Sequence, residues 1–181
     1  SVGNVQLKAW FADSEKSEVA VEAITSFARD YPESEFSLSF VLTEDQLGPY
    51  MQDNYYNDNP SVPEFYQKGD KVMMLYDHVA RTVMGWNGLD ESVPSVIKGE
   101  EYSYSTTISL DNCFNTEFTR LICLLLRNSD GVVVNAEYVN LSDITTDGIE
   151  ELNMNVSMST RHNELILTGY EGRVNVFDST G

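Results

Sequence analysis

From Phe118 to Arg127 the chain reads FTRLICLLLR, a nearly unbroken apolar run. It ends at Asn128-Ser129-Asp130-Gly131, a strong hairpin turn, and Val132–Leu141 returns on the far side. A short apolar run bounded by a tight turn is the pattern of a strand covered on both faces. Its longest uninterrupted stretch, Leu121–Leu126, is far too short to span a bilayer as a helix.

Other segments share the period of a strand. Phe36, Leu38, Phe40 and Leu42 alternate with Ser37, Ser39 and Val41. Val5, Leu7, Ala9 and Phe11 alternate in the same way, as do Tyr102, Tyr104, Thr106, Ile108 and Leu110. Two segments fit both templates. In Glu18–Phe27 a helical face (Ala20, Ile24, Phe27, Ala28) competes with a strand set (Val19, Val21, Ala23, Thr25, Phe27), and β-branched residues favour the strand. Lys71–Met84 has the same ambiguity and is taken as one strand. Gly85, Gly88 and Pro94 predict a long loop around Trp86, and Pro60 and Pro63 keep their segment extended or looped. Further on, Leu152, Met154, Val156 and Met158 alternate, and Glu164–Thr168 and Arg173–Phe177 predict short strands around Gly169–Gly172. Many short strands with regular turns predict an all-β fold, an antiparallel β-sandwich of immunoglobulin-like or jelly-roll-like type. The sandwich is placed over residues 1–142 and a small β appendage over 143–181.

Charge excludes several classes of partner. Lys+Arg 11 against Asp+Glu 29 leaves a net charge of −18. That opposes nucleic acid, which needs a basic footprint, and docking on an anionic bilayer. Direct membrane insertion is not expected of this chain either. Cys113 and Cys123 are the only cysteines; their spacing fits either a disulfide between neighbouring strands or two thiols acting as small apolar residues. Two cysteines and two histidines without ligand spacing predict no zinc site, and no cofactor is expected.

Catalytic patterns are sparse. His78 and His162 lie in no nucleophile motif, and there is no glycine-rich phosphate loop. Glu44 and Asp45 are adjacent on an extended chain, so they point to opposite faces and make no carboxylate pair between them. A carboxylate-based glycoside hydrolase is therefore a minor alternative, needing an acid from elsewhere. Asp143, Asp147, Glu150 and Glu151 form one oxygen-rich cluster, and Asp53, Asn54, Asn57, Asp58 and Asn59 another. Neither follows a calcium-loop pattern, and solvated acidic loops account for both.

The stretch FVLTEDQLGPYMQDNYY, Phe40–Tyr56, leads from a strand end into tyrosines set among amides and carboxylates. Tyrosine joins apolar area to a hydroxyl, which suits a binding surface. The loops Gln46–Pro63 and Gly85–Ser95, with Tyr50, Tyr55, Tyr56 and Trp86, are the candidate ligand site; the plainer account is tyrosines covering a core edge. Arg81 lies in an otherwise apolar stretch and needs a partner if buried. Glu44, at the strand end, is the expected one, giving a partly buried ion pair that sets strand register.

Taken in order, FVLTEDQL, QDNYY, YDHVARTVMGWNG and LLLRNSDGVVVNA resemble the family of twenty-eight-kilodalton outer-membrane proteins of Bacteroidetes, over roughly Val5 to Leu141. The resemblance implies export and a location at the outer membrane or cell surface, as for a lipoprotein. Longer relatives carry a thioredoxin-like domain nearby, and no CxxC stands here to transfer its redox chemistry. GYEGRVNVFDSTG resembles the opening of a type IX secretion tail. No catalytic residue comes with the likeness. The expected function is a non-catalytic extracytoplasmic surface module that binds an extracellular glycan or protein; the alternative is a structural domain that docks a neighbouring domain or subunit.

Overall fold

The structure is a computed structural model and describes residues 2–146, 157–161 and 164–168. The chain divides into two compact units, Ser1–Gly148 and Ile149–Gly181. The first contains β1 (Gly3–Phe11), β2 (Glu18–Phe27), β3 (Phe36–Glu44), β4 (Leu47–Asp53), β5 (Lys71–Tyr76), β6 (Val79–Leu89), β7 (Glu101–Ser109), β8 (Thr119–Arg127) and β9 (Val133–Asn140). In the second, β10 (Ser157–Arg161) and β11 (Glu164–Thr168) pair antiparallel, Ser157 opposite Thr168. Arg173–Phe177 and the tail motif lie outside the described residues.

The first unit is an antiparallel sandwich. One sheet has the order β1-β2-β7 and the other β6-β3-β8-β9. Hairpins join β1 to β2 and β8 to β9, and the chain changes sheets between β2 and β3, β6 and β7, and β7 and β8. This three-plus-four arrangement is the immunoglobulin-like option, not the jelly roll. Alternation decides which side chains meet. In β2, Val19, Val21, Ala23, Thr25 and Phe27 are buried and their neighbours are not, so the ambiguous segment is a strand. They pack against Leu38, Phe40, Leu42, Leu121 and Leu125 of the opposing sheet. Each fully buried Leu or Phe is worth about 1.5–3 kcal/mol, so this shared face holds the layers together.

Four expectations are corrected. Gln46–Pro63 is not all loop: Leu47–Asp53 is β4, paired antiparallel with β5. Lys71–Met84 is not one strand, because the chain turns at Asp77-His78, where His78 has φ 58°, and leaves one sheet for another. Trp86 sits within a strand, since Val79–Leu89 pairs with β3 at both ends: Met84 opposes Phe40 and Leu89 opposes Leu38. Gly85–Gly88 bulges between those pairs, with φ 74° at Gly85 and 93° at Gly88. A Cβ at Gly88 would lie 1.8 Å from Ser37 Oγ, so the bulge closes directly over β3. Finally, β8 is not covered on both faces: Leu121, Cys123 and Leu125 are buried in the core, while Ile122 and Leu124 opposite are only half-buried.

Both cysteines are free thiols, which removes the disulfide alternative. Cys123 faces the core, with Phe40 and Glu137 as its cross-strand neighbours, and Cys113 lies in the segment before β8.

Candidate functional site

The alternation that buries Phe36, Leu38, Phe40 and Leu42 puts Glu44 on the same face, at the end of the core. Its side chain is 2% exposed and lies 3.2 Å from Arg81 Nε. The carboxylate also accepts the backbone N–H groups of Phe114, at 3.1 Å, and Asn115, at 2.7 Å. Arg81 is the extra residue where β6 shifts register against Leu42 and Thr43. It donates from Nε to Asn112 O at 2.6 Å and again from Nη2. Its guanidinium lies 4.4 Å from the Phe114 ring centroid, a cation–π contact. The buried charge is thus fully engaged, and it ties β3, β6 and the segment before β8 to one point.

Directly beyond Glu44 the two chains turn together. Gln46, φ 56°, donates its N–H to Asp77 Oδ1 at 2.9 Å. His78, φ 58°, donates its N–H to Asp45 Oδ1 at 2.6 Å, and its Nδ1 lies 2.8 Å from the same oxygen. Each aspartate therefore holds the left-handed turn of the opposite chain. Glu44 opposite Val79 is the last pair of the sheet, and Leu47 opposite Tyr76 the first of the arm. The β3–β6 ribbon continues through this double turn as the β4–β5 arm, a separate two-stranded sheet.

Residues directly opposite one another on a ladder share a face. Met51 opposes Met73 on one face of the arm, and Leu75 follows two residues on; all three are exposed. On the other face Tyr50 opposes Met74, and the Tyr50 and Tyr76 rings lie 6.3 Å apart. The loop at the tip is organised by its amides. Asn54 Nδ2 donates to Phe65 O at 2.8 Å and Gly69 O at 2.9 Å, while its Oδ1 accepts Tyr56 N–H at 3.1 Å. Asn57 Oδ1 accepts Gly69 N–H, and Asn59 Oδ1 accepts Ser61 N–H. These amide oxygens of the suggested calcium cluster are committed to the loop's own backbone. The framework stacks Tyr56 on Phe65, centroids 6.3 Å apart, and leaves Tyr55 89% exposed. Trp86, on the β6 bulge, is 80% exposed, and no ring contact joins it to the arm's tyrosines among the described residues.

Glu44 faces the core and Asp45 the turn, so the adjacent acids do not converge. His162, Asp147, Glu150 and Glu151 lie outside the described residues; Asp143 accepts from Asn140 and Ser142. Among the described residues no three His, Cys, Asp or Glu side chains group to hold a metal, and no helix is long and apolar enough to cross a membrane. Burial, followed by the Glu137 charge, pushes the Cys123 thiol up to about 12. Burial also raises Cys113, with Glu44 adding to it and Thr119 and Arg81 opposing. Neither thiol is activated. Sequence reasoning missed the Met51–Met73–Leu75 face and the reciprocal roles of Asp45 and Asp77; the alternation within KVMMLY was the available signal for the first.

A scan of protein families found no match, and a search of curated proteins found none either. Among solved structures, the chain is similar to HBP35 of Porphyromonas gingivalis, at TM-score 0.52 and 12% identity, over 95% of this chain and 52% of that one. It therefore spans about half the length of that protein, and the likeness is one of fold. A domain of the outer membrane lipoprotein Omp28 from Porphyromonas gingivalis aligns at TM-score 0.46 and 11% identity, over 81% of this chain and 92% of that domain.

Proposed function

We propose that this chain is a non-catalytic, extracytoplasmic surface module that binds a ligand through the β4–β5 arm. The observation that carries the reading is the arm itself: an anchored two-stranded extension whose tip loop is ordered by its own amides yet leaves Tyr50, Tyr55 and Tyr56 exposed. An isolated hairpin is marginally stable in water, so one locked at its base by reciprocal aspartates is a surface held ready. Exposed Met51, Met73 and Leu75 beside these tyrosines favour a protein ligand over a glycan, because adaptable methionines and aromatic anchors suit protein contacts. The location at the outer membrane or cell surface is supported by the motif resemblance, together with a fold shared with a Porphyromonas gingivalis protein.

The test is a thermal-shift screen of extracellular proteins, peptides and glycans, with calcium and haem included. A ligand at about 100 times its Kd stabilises by about 2.7 kcal/mol, a shift of several degrees in a domain this size. The shift is expected with a protein or peptide and is lost in Tyr55→Ala and Met73→Ala. A shift that survives both substitutions overturns the assignment to the arm.

A further inference from the structure

A two-stranded sheet has two free edges, and among the described residues no strand pairs with the far side of β4 or of β5. The two edges are built differently. β4 carries Pro49, which has no N–H to offer, and its register shifts between Leu47 and Tyr50, where Gly48 and Pro49 span the place of Leu75 alone. Proline and a bulge are means by which natural sheets close an edge to further strands. β5, KVMMLY, has neither. Its one lysine, Lys71, stands at the start of the strand, 3.9 Å from Asp53 of β4.

The pairing also determines which backbone groups of β5 face outward. In an antiparallel ladder, pairs that exchange hydrogen bonds alternate with pairs that do not. Asn54 donates its N–H to Asp70 O at 2.7 Å, which makes these two a bonded pair. Gln52 with Val72 and Tyr50 with Met74 fall in the same class. Lys71 and Met73 fall in the other, so their N–H and C=O groups point away from β4, and Leu75 follows on the same side of the strand. Among the described residues no hydrogen bond from another segment reaches the backbone of these three. Their side chains are exposed as well, Met73 at 58% and Leu75 at 53%.

Charge selects what can settle there. From Asp45 to His78 the arm holds six carboxylates against two lysines. Asp70 and Asp77 flank β5 and are exposed, as are Asp58 and Glu64 in the tip loop. A cationic segment is drawn to this edge, whereas a second copy would bring the same six carboxylates and be repelled. Resting on the arm as the ligand site, we propose that the ligand is an extended, lysine- or arginine-bearing segment of another protein. It adds as a third strand along β5, its backbone bonded to Lys71, Met73 and Leu75 and its apolar side chains lying beside Met73 and Leu75.

The test titrates the isotope-labelled 181-residue chain with a capped peptide of alternating valine and lysine, followed by amide exchange in NMR spectra. The amides of Lys71, Met73 and Leu75 are expected to become protected, and the affinity to fall as salt is raised. A peptide with glutamate in place of lysine is expected to bind at least about tenfold more weakly. Met73→Pro removes an outward N–H and no bond to β4, and is expected to weaken binding by at least about tenfold in Kd. If that variant disorders the arm, the same peptide methylated on every backbone nitrogen gives the equivalent loss on the native chain. Binding without protection of these amides, yet lost in Tyr55→Ala, overturns strand addition and leaves the arm as the ligand site. Binding that survives both Met73→Pro and Tyr55→Ala overturns both readings. The proposal also falls if neither peptide binds, or if the chain dimerises through β5 and Met73→Pro abolishes the dimer.

Discussion

Glu44 shows what one buried carboxylate does in this fold. Its partners lie on β6 and in the segment before β8, so removing it leaves Arg81 without its countercharge and two backbone N–H groups without an acceptor. Breaking one side of a buried pair costs about 3–5 kcal/mol, far more than an exposed pair contributes. Glu44→Ala is expected to lower unfolding stability by about 3 kcal/mol, measured by urea denaturation, and to speed amide exchange at Phe114 and Asn115. A loss well under 1 kcal/mol would show that the pair is not holding these elements. Cys123 acts in the opposite sense. Its thiol is held neutral up to about 12, against an ordinary 9.0. The unfolded thiol ionises first, so its contribution is complete below pH 9 and is lost as pH rises toward 12. The stability difference between the native chain and Cys123→Ala is therefore expected to narrow above pH 9. In the folded state at neutral pH a thiol reagent should label Cys113 slowly and spare Cys123.

Among the elements, the arm is the piece whose order does not come from the core. Its ladder is short, its side chains are largely exposed, and its base is fixed by two aspartate-to-backbone bonds. Local and global stability should therefore separate. Asp77→Ala removes the acceptor for Gln46 N–H without touching the sandwich. The expected result is faster hydrogen exchange across Leu47–Asp53 and Lys71–Tyr76 with the global midpoint nearly unchanged. An equal loss in both would mean that the arm and sandwich unfold as one unit.

At the scale of the molecule, two apolar exposures interrupt an acidic surface: the β4–β5 arm, proposed above as the ligand site, and the row Val83, Val41, Ile122 and Tyr138 across β6-β3-β8-β9. Because Ile122 lies on β8 and Tyr55 in the tip loop of the arm, substitutions at the two are expected to have additive effects on stability, checked by a double-mutant cycle in urea.

Alternation in Phe36–Leu42 and Tyr102–Leu110, with the apolar run and hairpin turn of Phe118–Leu141, was enough to determine strands and a sandwich, because these patterns are local properties of the chain. The composition of Glu18–Phe27 resolved its own ambiguity for the same reason. Arg81 in an apolar stretch announced its need for a partner, and the end of the Phe36 strand was the place to look. Only half of the arm was legible. Lys71–Tyr76 lies within a segment read as a strand, whereas Leu47–Asp53 reads as one only beside it, and the turn that sets them apart depends on Asp45 holding His78 and Asp77 holding Gln46 across thirty-odd residues of sequence. The bulge at Gly85–Gly88 was equally hidden, since glycines mark a break locally while Met84 and Leu89 both find places on β3. Pattern along the chain determined which residues are apolar and how they alternate. Which of those apolar faces became core and which stayed open, as at Ile122 and Met73, only the tertiary structure decided, because burial depends on what the other strands bring alongside.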